Sequence, residues 1–452
     1  MPDKPLTFND PASTDLASKD PGSNSPGSNI PILSIRGLGE EISSLSHLPW
    51  TIPLELWPED PTLALQRGIS RHVVRLVRSI PDFEATTTPL PDHEIYAVKE
   101  TIPEIAEREY QILRELSHRG APSVEPVAVV EGRRDGDGEP LPAALVTRFL
   151  PFSSPYRVVL SGALGGKVTG SEIENMASAL ALLLVRLHLL GFWWGDCSLS
   201  NTLFRRDADS YAAYLVDAET GEFNQTLSKG QREHDLEIAH FNVAAELEDI
   251  SLSDVIYPGL DPIRASDAVI RRYRRLWSAI TEPRSLDGSD RHAVERAMRA
   301  VQDLGFAVEE VEVAFDGSGH QLKFTPKVVA PDYHKEKVRS LLGIDVEEFQ
   351  AKRLLASFDR YYSRLEEPRP PREEVGERWM REVFHHVVDQ VPIELRGRIE
   401  DAQLFHEVLE HRWYLGERVG RDVGLDFATK DYIAAILPSR MDSGTLSDSP
   451  AS

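Results

Sequence analysis

The sequence is poor in cysteine and in basic residues. Its single cysteine is Cys197, so no disulfide forms within the chain and nothing indicates an oxidising compartment. Lys and Arg number 50 against 73 Asp and Glu, which gives a formal net charge of -23. Nucleic-acid binding in general needs a surplus of cations to displace counterions from phosphates. We therefore expect no nucleic-acid partner.

Long apolar runs are also missing. The longest, from Met176 to Trp194, contains Arg186 and His188, which is typical of a buried helix and not of a membrane span. The first thirty residues are rich in Ser, Pro, Asp and Gly, and they lack the cationic start and apolar centre of a signal peptide. These absences predict a cytoplasmic protein without a membrane span.

The chain does contain enough apolar material for a core. Hydrophobic residues make up 41% and charged residues 27% of its 452 residues, as in ordinary globular proteins. Composition predicts disordered tails at 1–30 and 441–452. Between the tails we expect three parts. They are 31–150, which includes an N-terminal extension, 151–283, and a mostly helical part at 284–440.

Periodicity and turn residues predict the elements of these parts. Strands are expected at 72–77, 95–99, 124–130, 144–150, 202–204 and 214–216. Helices are expected at 103–117, 171–190, 232–247 and 265–280, followed by a hairpin (308–315 and 321–324, with an Asp316-Gly317 turn) and more helices to about 437. In the helix at 171–190, Ser171 and Glu174 are interpreted as a capping box and Gly191 as the C-terminal cap.

The most informative stretch is Trp194-Gly195-Asp196-Cys197-Ser198-Leu199-Ser200-Asn201, followed later by Val216-Asp217. An aspartate, an asparagine five residues on, and a second aspartate after an apolar strand are typical of phosphoryl transfer. In that chemistry Asp196 orients a hydroxyl for attack, while Asn201 and Asp217 hold magnesium against ATP phosphates. We therefore expect ATP and Mg²⁺ as cofactors and a hydroxyl-bearing acceptor of unknown identity.

Lys99 ends the predicted strand 95–99, a context that is typical of a lysine on nucleotide phosphates. The next helix carries one stripe of inward-facing positions: Ile105, Glu109, Ile112, Leu113 and Leu116. An unpaired carboxylate on that face costs several kcal/mol, so Glu109 requires a cation and Lys99 is the natural partner. The alternative is that Glu109 lies at the edge of the stripe and stays hydrated.

The run from Leu187-His188 to Gly195-Asp196, with Asn201 after it, resembles the signature L-H-x-x-G-x-x-H-G-D-x-x-x-x-N. That signature belongs to the kinase-like phosphotransferases, including aminoglycoside kinases and lipopolysaccharide core sugar kinases. Nearly the whole ordered chain also resembles an uncharacterised bacterial family described as lipopolysaccharide-kinase-like. The resemblance implies an α+β fold, bilobal and protein-kinase-like, followed by a mostly helical C-terminal domain with a β-hairpin.

The resemblance also implies roles for individual residues. It makes Asp196 the catalytic base, Asn201 and Asp217 the magnesium ligands, and Lys99 with Glu109 the ion pair that seats the phosphates. Two further positions have a supporting role by the same similarity. Asp235 resembles the buried helix aspartate that braces the backbone amides of the catalytic loop, and His188 is expected to be structural, packed against that loop.

The sequence departs from the signature at several points. Trp194 replaces the histidine before Gly-Asp, and Ser198 stands where protein kinases have lysine and small-molecule kinases often have histidine. Ala218-Glu219 follows the second aspartate in place of Phe-Gly, which leaves Glu219 as a spare carboxylate: either a further metal contact or, as we expect, an exposed side chain. No glycine occurs between Arg71 and Val98, so Gly68 is the nearest candidate for a phosphate-covering turn.

Three functions are consistent with these residues. Only 17 residues separate Asp217 from Asp235, too few for a long activation segment, which favours a small-molecule, sugar or lipid acceptor over a regulated protein kinase. A pseudokinase or nucleotide-binding scaffold, with a protein partner on the C-terminal domain, is the main alternative. Nucleotidyl transfer to protein is the third.

Other signals are interpreted as structural. His406 and His411 are five residues apart, whereas a zinc motif needs four, so they are expected to be polar residues of a helix surface. The basic run Arg271-Arg272-Tyr273-Arg274-Arg275 is expected to be a solvated or ion-paired helix face. A nucleophilic role for Cys197 is not expected, because Asp196 is a poor base for a thiol.

Overall fold

The computed structural model describes residues 33–37, 39–58, 73–78, 95–161, 170–251, 260–287, 290, 292–315 and 321–440. Both predicted disordered tails, Gly68 and the predicted Asp316-Gly317 turn lie outside these residues. Within them the chain is a mixed structure of helices and antiparallel sheets. No helix in the described ranges is both long enough and apolar enough to cross a membrane.

Five antiparallel strands form the first sheet, in the spatial order β1-β4-β5-β3-β2. Their bounds are Ser34–Gly37 (β1), Val74–Arg78 (β2), Ile95–Thr101 (β3), Pro126–Glu131 (β4) and Ala143–Arg148 (β5). The last four confirm the predicted strands with ends shifted by up to two residues. Because β3 continues to Thr101, Lys99 lies inside the strand, between Val74 and Leu145 of the neighbouring strands, and not at its end as expected.

Helices cover both faces of this sheet. On one face α2 (Pro103–His118) packs Tyr110 and Leu113 against Leu145. The opposite face, with Val98, is covered by α1 (Gly39–Leu45) and a short 3₁₀ turn at Leu54–Leu56. Successive strand residues point to opposite faces, so β3 presents Lys99 towards α2 and its neighbours Val98 and Glu100 away from it.

The middle of the chain is built around a buried helix and a β-hairpin. The bounds are Ser153–Pro155 (β6), Tyr156–Leu160 (α3), Gly170–Leu189 (α4), Phe192–Trp193 (β7), Thr202–Asp207 (β8), Ser210–Leu215 (β9), Glu222–Phe223 (β10), Lys229–Ser251 (α5) and Pro262–Thr281 (α6). The α4 helix begins at Gly170, so Ser171 lies in its first turn and not at the capping position predicted for it. Gly191 follows α4 with a φ of 76°, which only glycine adopts readily, as expected of a C-terminal cap.

The C-terminal part starts with a small sheet and continues as helices. Its bounds are Arg284–Asp287 (β11), Ala293–Gln302 (α7), Phe306–Phe315 (β12), Gln321–Pro331 (β13), Tyr333–Leu342 (α8), Glu348–Ser363 (α9), Arg372–Trp379 (α10), His385–Val388 (α11), Asp401–Val419 (α12) and Leu425–Ala435 (α13). The predicted hairpin is present as β12 and β13. A core of its own joins α8 to α13 around Trp379 and Phe405, whereas Phe306 packs with the first core. The boundaries of the three predicted parts stay predictions.

A fully buried arginine fastens the N-terminal extension to the first sheet. The side chain of Arg133 is 0% exposed and donates to Glu100 Oε1 at 2.6 Å, and to the carbonyl oxygens of Trp50 at 3.1 Å and Ile52 at 2.7 Å. The same Glu100 oxygen accepts the amide of Leu54 at 2.9 Å. This network links Glu100, the residue after Lys99, to the segment that covers the sheet.

We expect Arg133→Met to lower the free energy of unfolding by about 3–5 kcal/mol, because it leaves Glu100 buried without its cation. Arg134→Met is the matched control, since within the described ranges the side chain of this neighbouring arginine donates to the carbonyl of Gly138 in its own turn and not to Glu100. Denaturant unfolding of both variants measures the difference. A loss of equal size in the two variants would contradict a specific role for the buried network.

Candidate active site

Three carboxylates, one from α2 and two from the loop after β9, converge on the ammonium of Lys99. Its Nζ lies 3.0 Å from Glu109 Oε2 on α2, and 2.8 Å from Asp217 Oδ2 in the loop after β9. Glu219 Oε2 of the same loop lies 3.4 Å away. The predicted pair Lys99 and Glu109 is therefore in contact, and so is the predicted metal ligand Asp217.

Glu109 lies in the middle of the buried face of α2, with only 1% of its surface exposed. The fully buried positions are Ala106, Glu109, Tyr110, Leu113 and Leu116, while Ile105 and Ile112 of the predicted stripe are half-buried. The other carboxylate oxygen of Glu109 accepts the amide of Ala218 at 3.3 Å. The buried face of α2 is therefore rotated slightly about the helix axis from the predicted one. The alternative that placed Glu109 at the edge of that face is wrong.

Burial sets the ionisation of this cluster. It raises the pKa of Glu109 to about 7, with the nearby Asp217 acting in the same direction and Lys99 opposing both. For Lys99, burial alone would lower the pKa, but Glu109 and Asp217 together outweigh burial and hold the pKa above its usual value. The lysine is therefore charged at neutral pH.

The cluster has the charge and the donor atoms that suit a divalent cation. Carboxylate oxygens of Glu109, Asp217 and Glu219 all lie within 4.8 Å of one another. Among the described residues, one ammonium thus faces three carboxylates, which leaves an excess of negative charge even where Glu109 is protonated. Hard oxygen donors of this kind are the ligands that Mg²⁺ prefers. The residues present fit the expected ion.

Asp196 and Asn201 lie at the two ends of one tight loop. The side-chain amide of Asn201 donates to the backbone carbonyl of Asp196 at 3.0 Å and to its Oδ2 at 3.1 Å. The carbonyl of Asn201 accepts the amide of Val216 at 3.0 Å, next to Asp217. The base of the β8–β9 hairpin therefore holds Asn201 and the Asp217 loop side by side.

Asp235 and His188 stabilise this loop through buried hydrogen bonds. The carboxylate of Asp235, 0% exposed, accepts the amides of Trp194 at 2.8 Å and Gly195 at 2.7 Å. Asp235 also lies 3.1 Å from His188 Nε2, whose Nδ1 lies 2.7 Å from the hydroxyl of Tyr273. Burial lowers the pKa of His188. Because a carboxylate only accepts, the neutral ring carries its proton on Nε2 and accepts from Tyr273.

Two of the departures from the signature, Trp194 and Ser198, have structural explanations. The indole N–H of Trp194 donates to the carbonyl of Asp217 at 2.8 Å, so the tryptophan joins the loop of Asp196 to the loop of Asp217. Ser198 is buried, and its hydroxyl accepts the amide of Asn201 at 3.1 Å. Ser198 thus shapes the loop between Asp196 and Asn201. Glu219, expected to be exposed, is instead half-buried against Lys99.

Sequence reasoning missed two residues of α5 that bind the same loop. The amide of Asn242 lies 3.2 Å from both Asp196 Oδ1 and the carbonyl of Cys197. Glu246 accepts the amides of Leu199 at 2.7 Å and Ser200 at 3.0 Å. With Asp235 these residues stand at i, i+7 and i+11, one face of a helix. That spacing was a signal available in the sequence, although it does not identify the loop as the partner.

The remaining signals have structural roles. Cys197 is fully buried, which raises the pKa of its thiol and makes it unreactive. A surface position was expected for His406, and that prediction is wrong. His406 is buried and lies 3.0 Å from Asp209 at the tip of the β8–β9 hairpin. In the arginine run, Arg272 pairs with Glu174 and Arg274 with Glu233, which confirms an ion-paired face.

Comparisons with known proteins divide the chain in two. Residues 93–256 match the lipopolysaccharide kinase (Kdo/WaaP) family, and residues 275–437 match a domain of unknown function, DUF4032. No curated protein matches the sequence. A solved structure described as WaaP in complex with acyl carrier protein is 16% identical, with 60% of this chain and 99% of that chain covered and a TM-score of 0.32. Over residues 93–256, which span the whole cluster, the chain is kinase-like and related to the lipopolysaccharide kinases.

Asn242→Leu is expected to lower the turnover of Mg-ATP on the order of ten- to a hundredfold, because the Asp196 carboxylate loses one of its two amide donors and its orientation. Nucleotide affinity is expected to stay the same, since Asn242 contacts neither Lys99 nor Asp217. ADP release and nucleotide titration measure the two quantities.

Gln390→Leu is the control, because the exposed side-chain amide of Gln390, just after α11, bonds to the carbonyl of His386 and not to the hairpin. If Asn242→Leu and Gln390→Leu turn over Mg-ATP at the same rate, Asn242 does not orient Asp196.

Proposed function

We propose that this chain is an ATP- and magnesium-dependent phosphotransferase that transfers the γ-phosphate to a hydroxyl of a sugar, lipid or other small molecule. The observation that carries the proposal is the contact of Lys99 with Glu109 and Asp217, at 3.0 and 2.8 Å, beside the loop of Asp196 and Asn201. The similarity of residues 93–256 to lipopolysaccharide kinases supports the same chemistry.

In this proposal the two halves of the kinase-like part, 31–150 and 151–283, form a bilobal unit with the nucleotide between them. Lys99 binds the α- and β-phosphates, and Glu109 keeps the ammonium pointing at them. Asp196 accepts the proton of the attacking hydroxyl, or orients that hydroxyl, while Asn242 and Asn201 fix its carboxylate. Asp235 holds the loop backbone so that Asp196 does not move during transfer.

Magnesium, held by Asn201 and Asp217, would neutralise charge on the phosphates. Asp217 contacts Lys99 in this structure. When nucleotide and ion bind, Lys99 would contact the phosphates and Asp217 would contact the ion. Glu219 is close enough to contribute a further oxygen ligand. Because Ser198 supplies no cation from the catalytic loop, the positive charge that the transferring phosphate needs would come from Lys99 and from the ion held by Asn201 and Asp217.

The proposal is tested by ADP release with candidate hydroxyl acceptors in the presence of Mg²⁺. We expect Asp196→Asn and Asp217→Asn each to lower the rate by ~10²-fold or more, since the first removes the group that acts on the attacking hydroxyl and the second removes a metal ligand. Chelating the metal should abolish transfer in the wild type. Asp267→Asn is the matched control. Asp267 lies on α6, is exposed, and pairs with His240 on the far side of α5.

Equal rates for wild type, Asp196→Asn and Asp217→Asn would remove the mechanism. Binding of Mg-ATP without transfer to any acceptor would favour the nucleotide-binding scaffold. The mass added to the product separates phosphoryl from nucleotidyl transfer. A protein partner on the C-terminal helices stays a prediction.

A further inference from the structure

The β8–β9 hairpin connects the candidate site to the C-terminal helices. At its base, Asn201 precedes β8 and Asp217 follows β9, and the two segments are joined by the bond from the Val216 amide to the Asn201 carbonyl. Its tip, Asp207 to Ser210, lies at the opposite end of strands that span roughly 20 Å at ~3.3 Å per residue. The two proposed metal ligands are therefore the two ends of one stiff element.

The tip of the hairpin is anchored by the N-terminus of α9. The carboxylate of Asp207, 2% exposed, accepts the amide of Phe349 at 3.1 Å and that of Gln350 at 2.7 Å. First-turn amides of a helix have no partner within the helix, and a carboxylate there is favoured by the helix dipole. The buried Asp207 carboxylate depends on these amides, while the Gln350 amide is also accepted by the side chain of Glu347 in a capping box.

Two buried glutamines bind the backbone of the same tip. Gln403 of α12 accepts the amide of Ala208 at 3.0 Å and donates to its carbonyl at 3.2 Å. Gln350 donates to the carbonyl of Arg206 at 3.1 Å. Ala208 has a φ of 54°, which is unfavourable for a residue with a side chain, and the paired bonds to Gln403 hold it there. Three successive residues, the last two of β8 and the first of the turn (206–208), are thus fixed by α9 and α12.

Charged groups along the strands add to this attachment. Arg205 of β8 pairs with Glu400 at 2.6 Å and with Glu347 at 3.4 Å, and the hydroxyl of Tyr214 on β9 donates to Glu347. The other face of the hairpin packs Phe204 and Leu215 into the apolar core with α4. The hairpin is therefore held between α4 and the C-terminal helices.

We propose that α9 and α12 position the candidate metal site by clamping the β8–β9 hairpin, with Asp207 and Gln403 as positioning residues. This inference rests on the proposed function, because it assumes that Asn201 and Asp217 hold the ion. The clamp fixes the direction of both strands at the tip, and the strands transmit that direction to the base. Through this clamp, the segment that matches the domain of unknown function contributes to metal binding although it does not contact the ion.

The test compares Asp207→Asn and Gln403→Met with the wild-type chain. An asparagine cannot accept both α9 amides through oxygen, and a methionine of similar volume cannot bond to Ala208. Asp345→Asn is the control, since Asp345 pairs with the exposed Arg339 and does not contact the hairpin. Two variants are used so that failure of one to fold leaves the other informative.

Two readouts are measured on the full chain: the Mg²⁺ concentration needed for half-maximal ATP binding, and hydrogen exchange of the amides of 202–215. We expect both hairpin variants to raise the Mg²⁺ midpoint ~10-fold or more, the size typical of residues that orient metal ligands. Their hairpin amides should exchange faster. ATP binding in chelator, which depends on Lys99, should change much less. Asp345→Asn should match the wild type throughout.

The outcomes distinguish the two proposals. If wild type shows no Mg²⁺-dependent ATP binding, the proposed function fails, whatever the variants do. If wild type binds Mg-ATP, and both variants bind it with an unchanged Mg²⁺ midpoint, the clamp is overturned while the proposed function stands. A loss of ATP binding that is equal with and without Mg²⁺ would also overturn it, because that is the signature of general destabilisation.

Discussion

The buried carboxylate of Glu109 is the constraint on which the site depends. With 1% of its surface exposed, it requires a compensating charge, and Lys99 supplies it at 3.0 Å. Breaking such a pair costs far more than the pair contributes as a whole, since one charge is left in the interior. The contact therefore fixes the distance between β3 and α2. Because Asp217 shares the same ammonium at 2.8 Å, it also fixes the loop after β9 relative to both.

The loop from Trp194 to Asn201 has a second constraint, in its own backbone. Amides buried in a loop have no strand or helix partners, so side chains must satisfy them. Helix α5 does this along one face: Asp235 takes the amides at the start of the loop, Asn242 binds its middle, and Glu246 takes the amides near its end. Side chains on one face of a helix thus determine the shape of an irregular loop. This explains how the loop keeps its shape with tryptophan in place of the usual histidine at Trp194.

Features that depend on local periodicity or on a linear motif could be predicted from the sequence. Helix α2, the strand of Lys99 and the loop from Asp196 to Asn201 are features of this kind. Contacts between distant segments could not. Nothing in the residues around Asn242 indicates that it faces Asp196, and nothing near Gln403 indicates that it pairs with Ala208, 195 positions earlier. Glu219 was interpreted as exposed because the residue after a motif carries no signal of burial by itself.

The interface between the hairpin and the C-terminal helices is unusual in its chemistry. Each of the two parts has an apolar core, but between them lie buried carboxylates and glutamines and the half-buried Arg205. Apolar surfaces tolerate sliding, because their attraction depends little on direction. Buried hydrogen bonds do not, since a shift of an ångström leaves donors without acceptors at a cost of about 1–3 kcal/mol each. A polar interface therefore specifies one relative position, and it does so at the tip of the element whose base carries Asn201 and Asp217.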